Sequence, residues 1–346
     1  MFATKPHPTI SPIPPSAFAC IALPLVLIQG CSADASERED DSTISALDRA
    51  STSAATPDDH SSSADADPDV RNLDPSTAEP LDPDPSTAAA AAAPQWAGQF
   101  AGFRSSSWQS AWGYTSQGSW GLGQLSAVSD SSAPGGGSAL RVFYGKGSSA
   151  NSCTNCPNPG GGQFHTKLSS LGSAGSTMAN SKTLDLKYNV KFPSGWSFGK
   201  GGKLPGLYGG NIGEASGGNH GWGWSTRFMW RNHGGAPNAG EVYLYTPSNA
   251  GPSGYGVDYF GNWKWTADGK WHTVEQLVNR STGDVTVWFD GKQVLAEPGI
   301  AKGISNIPFS GIFFSTFFGG HDTSWGPSVS EYAYFANFSL STGIQH

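Results

Sequence analysis

The sequence predicts an all-β domain, a two-sheet sandwich of jelly-roll type, behind a disordered tail. Three observations carry this reading. Apolar and polar side chains alternate with period 2 in several separate stretches, as half-buried strands require. Those stretches are short, and Gly, Pro and Asn separate them; the 346 residues include 46 Gly and 24 Pro. No long segment repeats its apolar residues at helical spacing. Many short strands joined by such turns close as a sandwich or jelly roll.

TLDLKYNVKF sets Leu184, Leu186, Tyr188, Val190 and Phe192 against Asp185, Lys187, Asn189 and Lys191, a strand with one wet face. In GWGWSTRFMWRN, Gly221 to Asn232, the residues Trp224, Thr226, Phe228 and Trp230 fall on one face. Ser225, Arg227, Met229 and Arg231 fall on the other. The aromatic face reads as core; the Ser/Arg face needs another explanation. EVYLYTP puts Glu241, Tyr243 and Tyr245 opposite Val242 and Leu244. DVTVWFDGKQVL reads as a hairpin turning at Asp290-Gly291. GIFFSTFF and EYAYFANFSL are further strands. KWHTVEQLVNRSTGDVTVWFDGKQV also resembles the strand–hairpin signature of concanavalin-like and laminin-G-like sandwiches.

Ahead of this domain the composition changes twice. FACIALPLVLIQGC is too short to span a membrane and fits the apolar core of a signal peptide. It ends in Ile28-Gln29-Gly30-Cys31, which resembles a bacterial lipobox, with Cys31 as the lipidated residue. An ordinary secretory signal with a coincident Cys is the other reading. Residues 1–31 are thus expected to be a lipoprotein-type signal, and the protein to be exported to a bacterial outer membrane or cell surface, or secreted. Residues 32–94 are rich in Ser, Ala, Asp, Thr and Pro and nearly devoid of large apolar side chains. Such a segment cannot offset its ordering entropy, so it reads as a disordered acidic linker.

That linker accounts for the acidic balance of the chain. It carries 15 acidic and 3 basic residues, whereas Gln95 to His346 carries 12 acidic and 16 basic. The folded part is mildly basic, which suits a polyanionic partner. Cysteine is sparse. Cys153 and Cys156 in NSCTNCPNPGGG admit a redox pair, half a zinc site or a small loop disulfide. The exported address and the lack of a second CxxC favour the disulfide.

Four pieces of the domain carry side chains suited to chemistry. GGKLPGLYGG holds Lys203 and Tyr208. The opening strand holds Ser225, Arg227 and Arg231, with Trp222 ahead of it. EVYLYTP holds Tyr243 and Tyr245. STFFGGHDTSW holds His321 and Asp322 in a Gly-rich turn. Singly, each reads equally well as a solvated loop, a sheet-face charge or a turn. Together they place Lys, Ser, Arg and paired Tyr on what would be one wet sheet surface.

These pieces, followed by YAYFANFSL, resemble polysaccharide lyase family 14 from about Trp96 to the C-terminus. The resemblance implies a β-jelly roll acting as an alginate or glucuronan lyase. Its catalytic Lys falls on Lys203, its Ser and Arg on Ser225 and Arg227, and its two Tyr on Tyr243 and Tyr245. RNHGGAPNAG looks like a variable hairpin between the Arg and Tyr strands.

Such a lyase breaks a uronate polymer by β-elimination. The C5 proton is a poor acid beside a carboxylate, so a cation and donors held against that carboxylate stabilise the developing charge. Arg227 has the planar fork for this, with Ser225 and Lys203 beside it. A Tyr serving as base needs nearby cations to lower its pKa. The resemblance favours Tyr245 as the main acid/base. Tyr208, Trp222, Arg231 and His321 are the expected substrate contacts. His220, His233 and His272 lack metal-ligand spacing and Glu214, Glu241 and Asp258 are scattered, so neither metal nor cofactor is expected. The expected partner is an acidic polysaccharide rather than nucleic acid, the membrane is met only through the lipid anchor, and the protein is expected to be monomeric. A non-catalytic glycan-binding sandwich is the alternative. A hydrolase would need paired carboxylates flanking the bond, which the few acids do not supply.

Overall fold

The computed structural model describes residues 91–216, 221–248 and 255–346. The expected signal with Cys31 lies outside them, as does the linker apart from residues 91–94. Those last linker residues depart from the expectation: the Ala92 amide donates to the Ile344 carbonyl at 2.7 Å, so ordered chain begins ahead of Gln95.

Two antiparallel sheets make up the sandwich. One runs β13 (Lys292–Glu297), β12 (Asp284–Phe289), β11 (His272–Asn279), β6 (Thr183–Lys191), β15 (Glu331–Ser341), β4 (Ser138–Tyr144) and β3 (Leu125–Ser129), with β1 (Trp96–Gly98) also on β15. The other runs β10 (Val257–Lys264), β9 (Ala236–Tyr245), β8 (Gly223–His233), β7 (Gly201–Gly210), β14 (Phe309–Phe318), β5 (Gly162–Thr166) and β2 (Tyr114–Trp120). Each sheet combines hairpin neighbours, such as β8 and β9, with pairings of strands distant in sequence, such as β7 with β14 and β6 with β15.

The period-2 readings translate into faces. Leu184, Leu186, Tyr188 and Val190 of β6 and Trp224, Phe228 and Trp230 of β8 lie in one core between the sheets. Rings stack within each sheet there, Phe164 on Phe314 at 4.5 Å and 9° in one and Tyr188 on Phe338 at 4.7 Å and 4° in the other, and Phe314 meets Phe335 across the sheets edge to face at 5.3 Å. Thr226 also faces this core. Its hydroxyl donates to Gln276 Oε1 at 2.6 Å, and Gln276 Nε2 returns a bond to Thr226 O at 3.0 Å. This reciprocal pair ties β8 to β11 of the opposite sheet with both polar groups satisfied, as burial demands.

The hairpin at Asp290-Gly291 forms as expected, with φ of 50° and 77°, the left-handed pair of a type I′ turn. RNHGGAPNAG forms a hairpin between the Arg and Tyr strands, as expected: β8 runs to His233, Gly234 and Gly235 turn at φ 57° and 79°, and β9 starts at Ala236. Two helices, α1 (Ser106–Trp112) and α2 (Gly172–Asn180), escaped the periodicity reading because they span two to three turns at most. Ser105 caps α1 by accepting from the Trp108 amide at 3.2 Å, and Gly113 ends it in the left-handed region.

Candidate active site

The outer face of the second sheet gathers the chemistry, and KLPGL explains how. Lys203 and Tyr208 have opposite parity, so a regular strand would send them to opposite faces. The β7–β8 register shifts between Leu204 and Leu207. Pro205, which has no N–H to give the ladder, and Gly206 occupy that irregularity. A Cβ on Gly206 would lie 2.3 Å from Thr226 O and 2.5 Å from Arg227 Cα. Only glycine lets β7 pass that close to the arginine. Past the bulge the parity is reversed, so Leu204 and Leu207 both join the core while Lys203 and Tyr208 share the outer face.

Register then brings the expected residues together. Arg227 pairs with Tyr243, Ser225 with Tyr245, and Met229 with both Lys203 and Glu241. Lys203 Nζ donates to Met229 Sδ at 3.2 Å and lies 3.8 Å from the Tyr243 ring centroid. The Tyr243 and Tyr245 rings meet edge to face at 5.3 Å. Arg227 is 2% exposed. Its guanidinium covers Phe313 at 4.3 Å and approaches Tyr245 at 5.6 Å. Arg227 Nη1 donates to Ser315 Oγ at 3.2 Å, and that hydroxyl donates to Gln163 Oε1 at 2.9 Å. Arg227 Nε is buried with no hydrogen-bond partner. A buried charged donor left over in this way has capacity for an anionic ligand.

Lys203 and Tyr243 open onto a cavity of ≈ 460 Å³ whose wall also includes Arg231, Asp258, His321 and Trp325. Arg231 donates to Glu241 Oε1 at 3.3 Å and, as an ion pair, to Asp258 Oδ1 at 2.8 Å. His321 Nδ1 lies 3.1 Å from Ser152 Oγ. Ser152 immediately precedes the loop closed by the Cys153–Cys156 disulfide, S–S 2.05 Å. Arg231 and His321 thus line the same cavity as Lys203 and Tyr243.

Three expectations need correction. The Ser225 hydroxyl does not face the cavity: it is fully buried and donates to Ala215 O at 2.6 Å, fastening the turn after β7 onto the sheet. Tyr208 is 1% exposed and its hydroxyl donates to Thr166 O at 2.8 Å, so its ring offers no sugar platform. The cations do not win at Tyr243. Burial raises its pKa well above the ordinary phenol value, the neighbouring Tyr245, in charge and hydrogen bond, and then Asp258 raise it further, and the smaller pull of Arg231 does not offset them. Tyr243 OH accepts from the Gly256 amide at 3.0 Å. Trp222 is half exposed and follows Gly210 and Asn211 in space, since the Asn211 amide donates to its carbonyl at 2.7 Å. It stands beyond the Tyr208 end of the face, away from the Lys203 cavity.

Sequence reasoning missed Gln163, His165, Phe313, Ser315 and the role of Glu241. The signal was available at QFH, which carries polar groups two apart on a strand, the same alternation that picked out Ser225 and Arg227. His165 is fully buried, 4.1 Å from the Phe313 ring and edge-on to Tyr208. Burial, and then the Arg227 charge, pull its pKa down to about 3, so the imidazole is neutral. Glu241 is fully buried beside Met229; burial pushes it up to about 8 against the pull of Arg231.

Fold and site together define a two-sheet β-sandwich whose one outer face gathers Lys203, Arg227, Tyr243 and Tyr245. The family model described as Polysaccharide lyase 14 matches residues 132–338, and the chain belongs to that family. It is a polysaccharide lyase by that membership. Among solved structures it is similar to the marine PL-14 alginate lyase from Aplysia kurodai: 26% identity, 73% of this chain and 100% of that one covered, TM-score 0.55. It is also similar in fold to alginate lyase Aly36B: 21% identity, 74% and 100% covered, TM-score 0.53. No curated protein matches the chain by sequence.

Proposed function

We propose that this lyase cleaves an acidic uronate polysaccharide by β-elimination, with alginate the first candidate substrate and glucuronan the second. The observation that carries the reading is the conjunction of Lys203, Arg227, Tyr243 and Tyr245 on one face, with Arg227 Nε unspent. Likeness to an alginate lyase at 26% identity supports alginate over glucuronan.

In this scheme Arg227, with Lys203 beside it, holds the uronate carboxylate and stabilises the charge that builds there as the C5 proton leaves. Tyr245, entering as its phenolate, takes that proton. The C5–H electron pair becomes the C4=C5 double bond, the C4–O bond breaks, and a tyrosine proton goes to the departing O4. Tyr243, held protonated by burial, supports Tyr245 through their hydrogen bond. His165, neutral beneath Arg227, adds no competing positive charge.

Mass spectrometry of the products tests this. Elimination predicts new non-reducing ends lighter by one water than those of hydrolysis; ends of hydrolytic mass would contradict it. The signal and Cys31 further place the lyase, in this reading, on a lipid anchor with the acidic linker as spacer. Cys31→Ser should then move it from the membrane to the soluble fraction, and a wild-type chain already soluble would contradict the anchor.

A further inference from the structure

The outer face of the first sheet lies on the opposite side of the sandwich from the cleft, and it too is unlike a plain solvated face. Register sets Tyr332 opposite Phe143, and Tyr334 opposite both Arg141 and Lys191. The Tyr332 and Phe143 rings lie 5.4 Å apart, and the Arg141 guanidinium covers Tyr332 at 4.7 Å. Lys191 Nζ sits between two rings, 4.7 Å from Trp271 and 5.0 Å from Tyr334. Three neighbouring strands, β4, β15 and β6, thus present a band in which aromatic rings and cations alternate.

The two cations differ in how they are compensated. Lys191 is ion-paired to Asp130, and that bond, with a second from Ser132, holds the Asp130 carboxyl down to about 2. Arg141 has no ion pair among the described residues, and its Nε is buried without a hydrogen-bond partner. Tyr332 beside it is 37% exposed, one of the few large apolar side chains so open. Arg141 and Tyr332 therefore combine an uncompensated positive charge with an open ring. The apolar C–H face of a sugar packs on such a ring, and a carboxylate on that sugar meets the guanidinium. Tyr334 lies two residues along the same strand, about 6.7 Å away, and continues the band toward Lys191 and Trp271.

We infer that this band is a second binding surface for an acidic polysaccharide, remote from the cleft. The choice of ligand rests on the uronate reading above and on charge complementarity: a neutral glycan would leave Arg141 unanswered. A surface of this kind tethers the domain to a long polymer and raises the local concentration of substrate at the cleft without contributing to the chemistry.

Affinity electrophoresis of the full chain tests it, using the Arg227→Ala background so that the polymer survives. Gels are cast with polymannuronate, polyguluronate, polyglucuronate or a neutral glucan. The background chain should be retarded by a polyuronate and not by the glucan. Adding Tyr332→Ala, or Arg141→Gln, should weaken that retardation about tenfold, the usual size of losing one anchor of a binding surface. In the otherwise wild-type chain the same substitutions should leave turnover of a short uronate oligomer unchanged, which also shows that they fold. Retardation unaltered by both substitutions overturns the inference. If no polyuronate is cleaved by the wild-type chain yet these variants lose retention with unchanged thermal midpoints, the second surface stands and the cleavage reading falls.

Discussion

The Lys203 ammonium lies over the face of the Tyr243 ring, 3.8 Å from its centroid, and not at its hydroxyl. A cation there is held by the ring quadrupole, leaving the phenol proton where burial keeps it. Tyr243 is therefore a poor base, and the proposed reading gives the proton abstraction to Tyr245. Tyr245→Phe should lower kcat by about 10²- to 10⁴-fold, the range of a lost acid/base group. Tyr243→Phe keeps the ring under Lys203 and should cost distinctly less. Steady-state kinetics of the two variants decide; the reverse order would exchange their roles.

Ser225 and Arg227 sit two residues apart on one strand yet should respond differently. Ser225→Ala strands the Ala215 carbonyl and should cost about 1–3 kcal/mol of stability, with turnover changed only a few-fold. Arg227→Ala removes the group offered to the substrate carboxylate, and kcat/KM should fall by at least about 10²- to 10³-fold in a folded protein. Unfolding curves and kinetics on both variants check this. A Ser225→Ala loss matching that of Arg227→Ala would place the serine hydroxyl on the substrate.

Glu241 makes stability depend on pH. Its folded pKa is raised to about 8 from an ordinary 4.5, so its contribution is complete below pH ~4.5 and is lost as pH rises through about 8. The folded state holds a proton across that window which the unfolded chain gives up. Calorimetry should show the thermal midpoint falling over that range, and Glu241→Gln should flatten the fall. An identical slope in the variant would mean that Glu241 ionises freely in the fold.

The sandwich was legible because apolar and polar side chains alternate along its strands, as from Leu184 to Val190 and from Trp224 to Trp230, but the expected wet face is itself buried at Asp185, Asn189, Ser225 and Arg227. The faces of Arg227, Tyr243 and Tyr245 followed for the same reason. What alternation does not carry is where a side chain spends its hydrogen bond. Ser225 gives its own to Ala215, ten residues back, and Tyr208 reaches Thr166 from another strand. Nor does it carry a parity change: Pro205 and Gly206 reverse the face of β7, and only pairing with β8 reveals it. The α1 and α2 helices stayed hidden because two or three turns are too few for a period to emerge.

The most direct test of the central claim follows the ultraviolet absorbance of the unsaturated uronate. Purified wild-type chain and Arg227→Ala are incubated with polymannuronate, polyguluronate, polyglucuronate and a neutral glucan. The account predicts a rise with at least one polyuronate, none with the glucan, and a rate at least about 10²-fold lower for Arg227→Ala. No rise with any polyuronate, or equal rates for both chains, would contradict it.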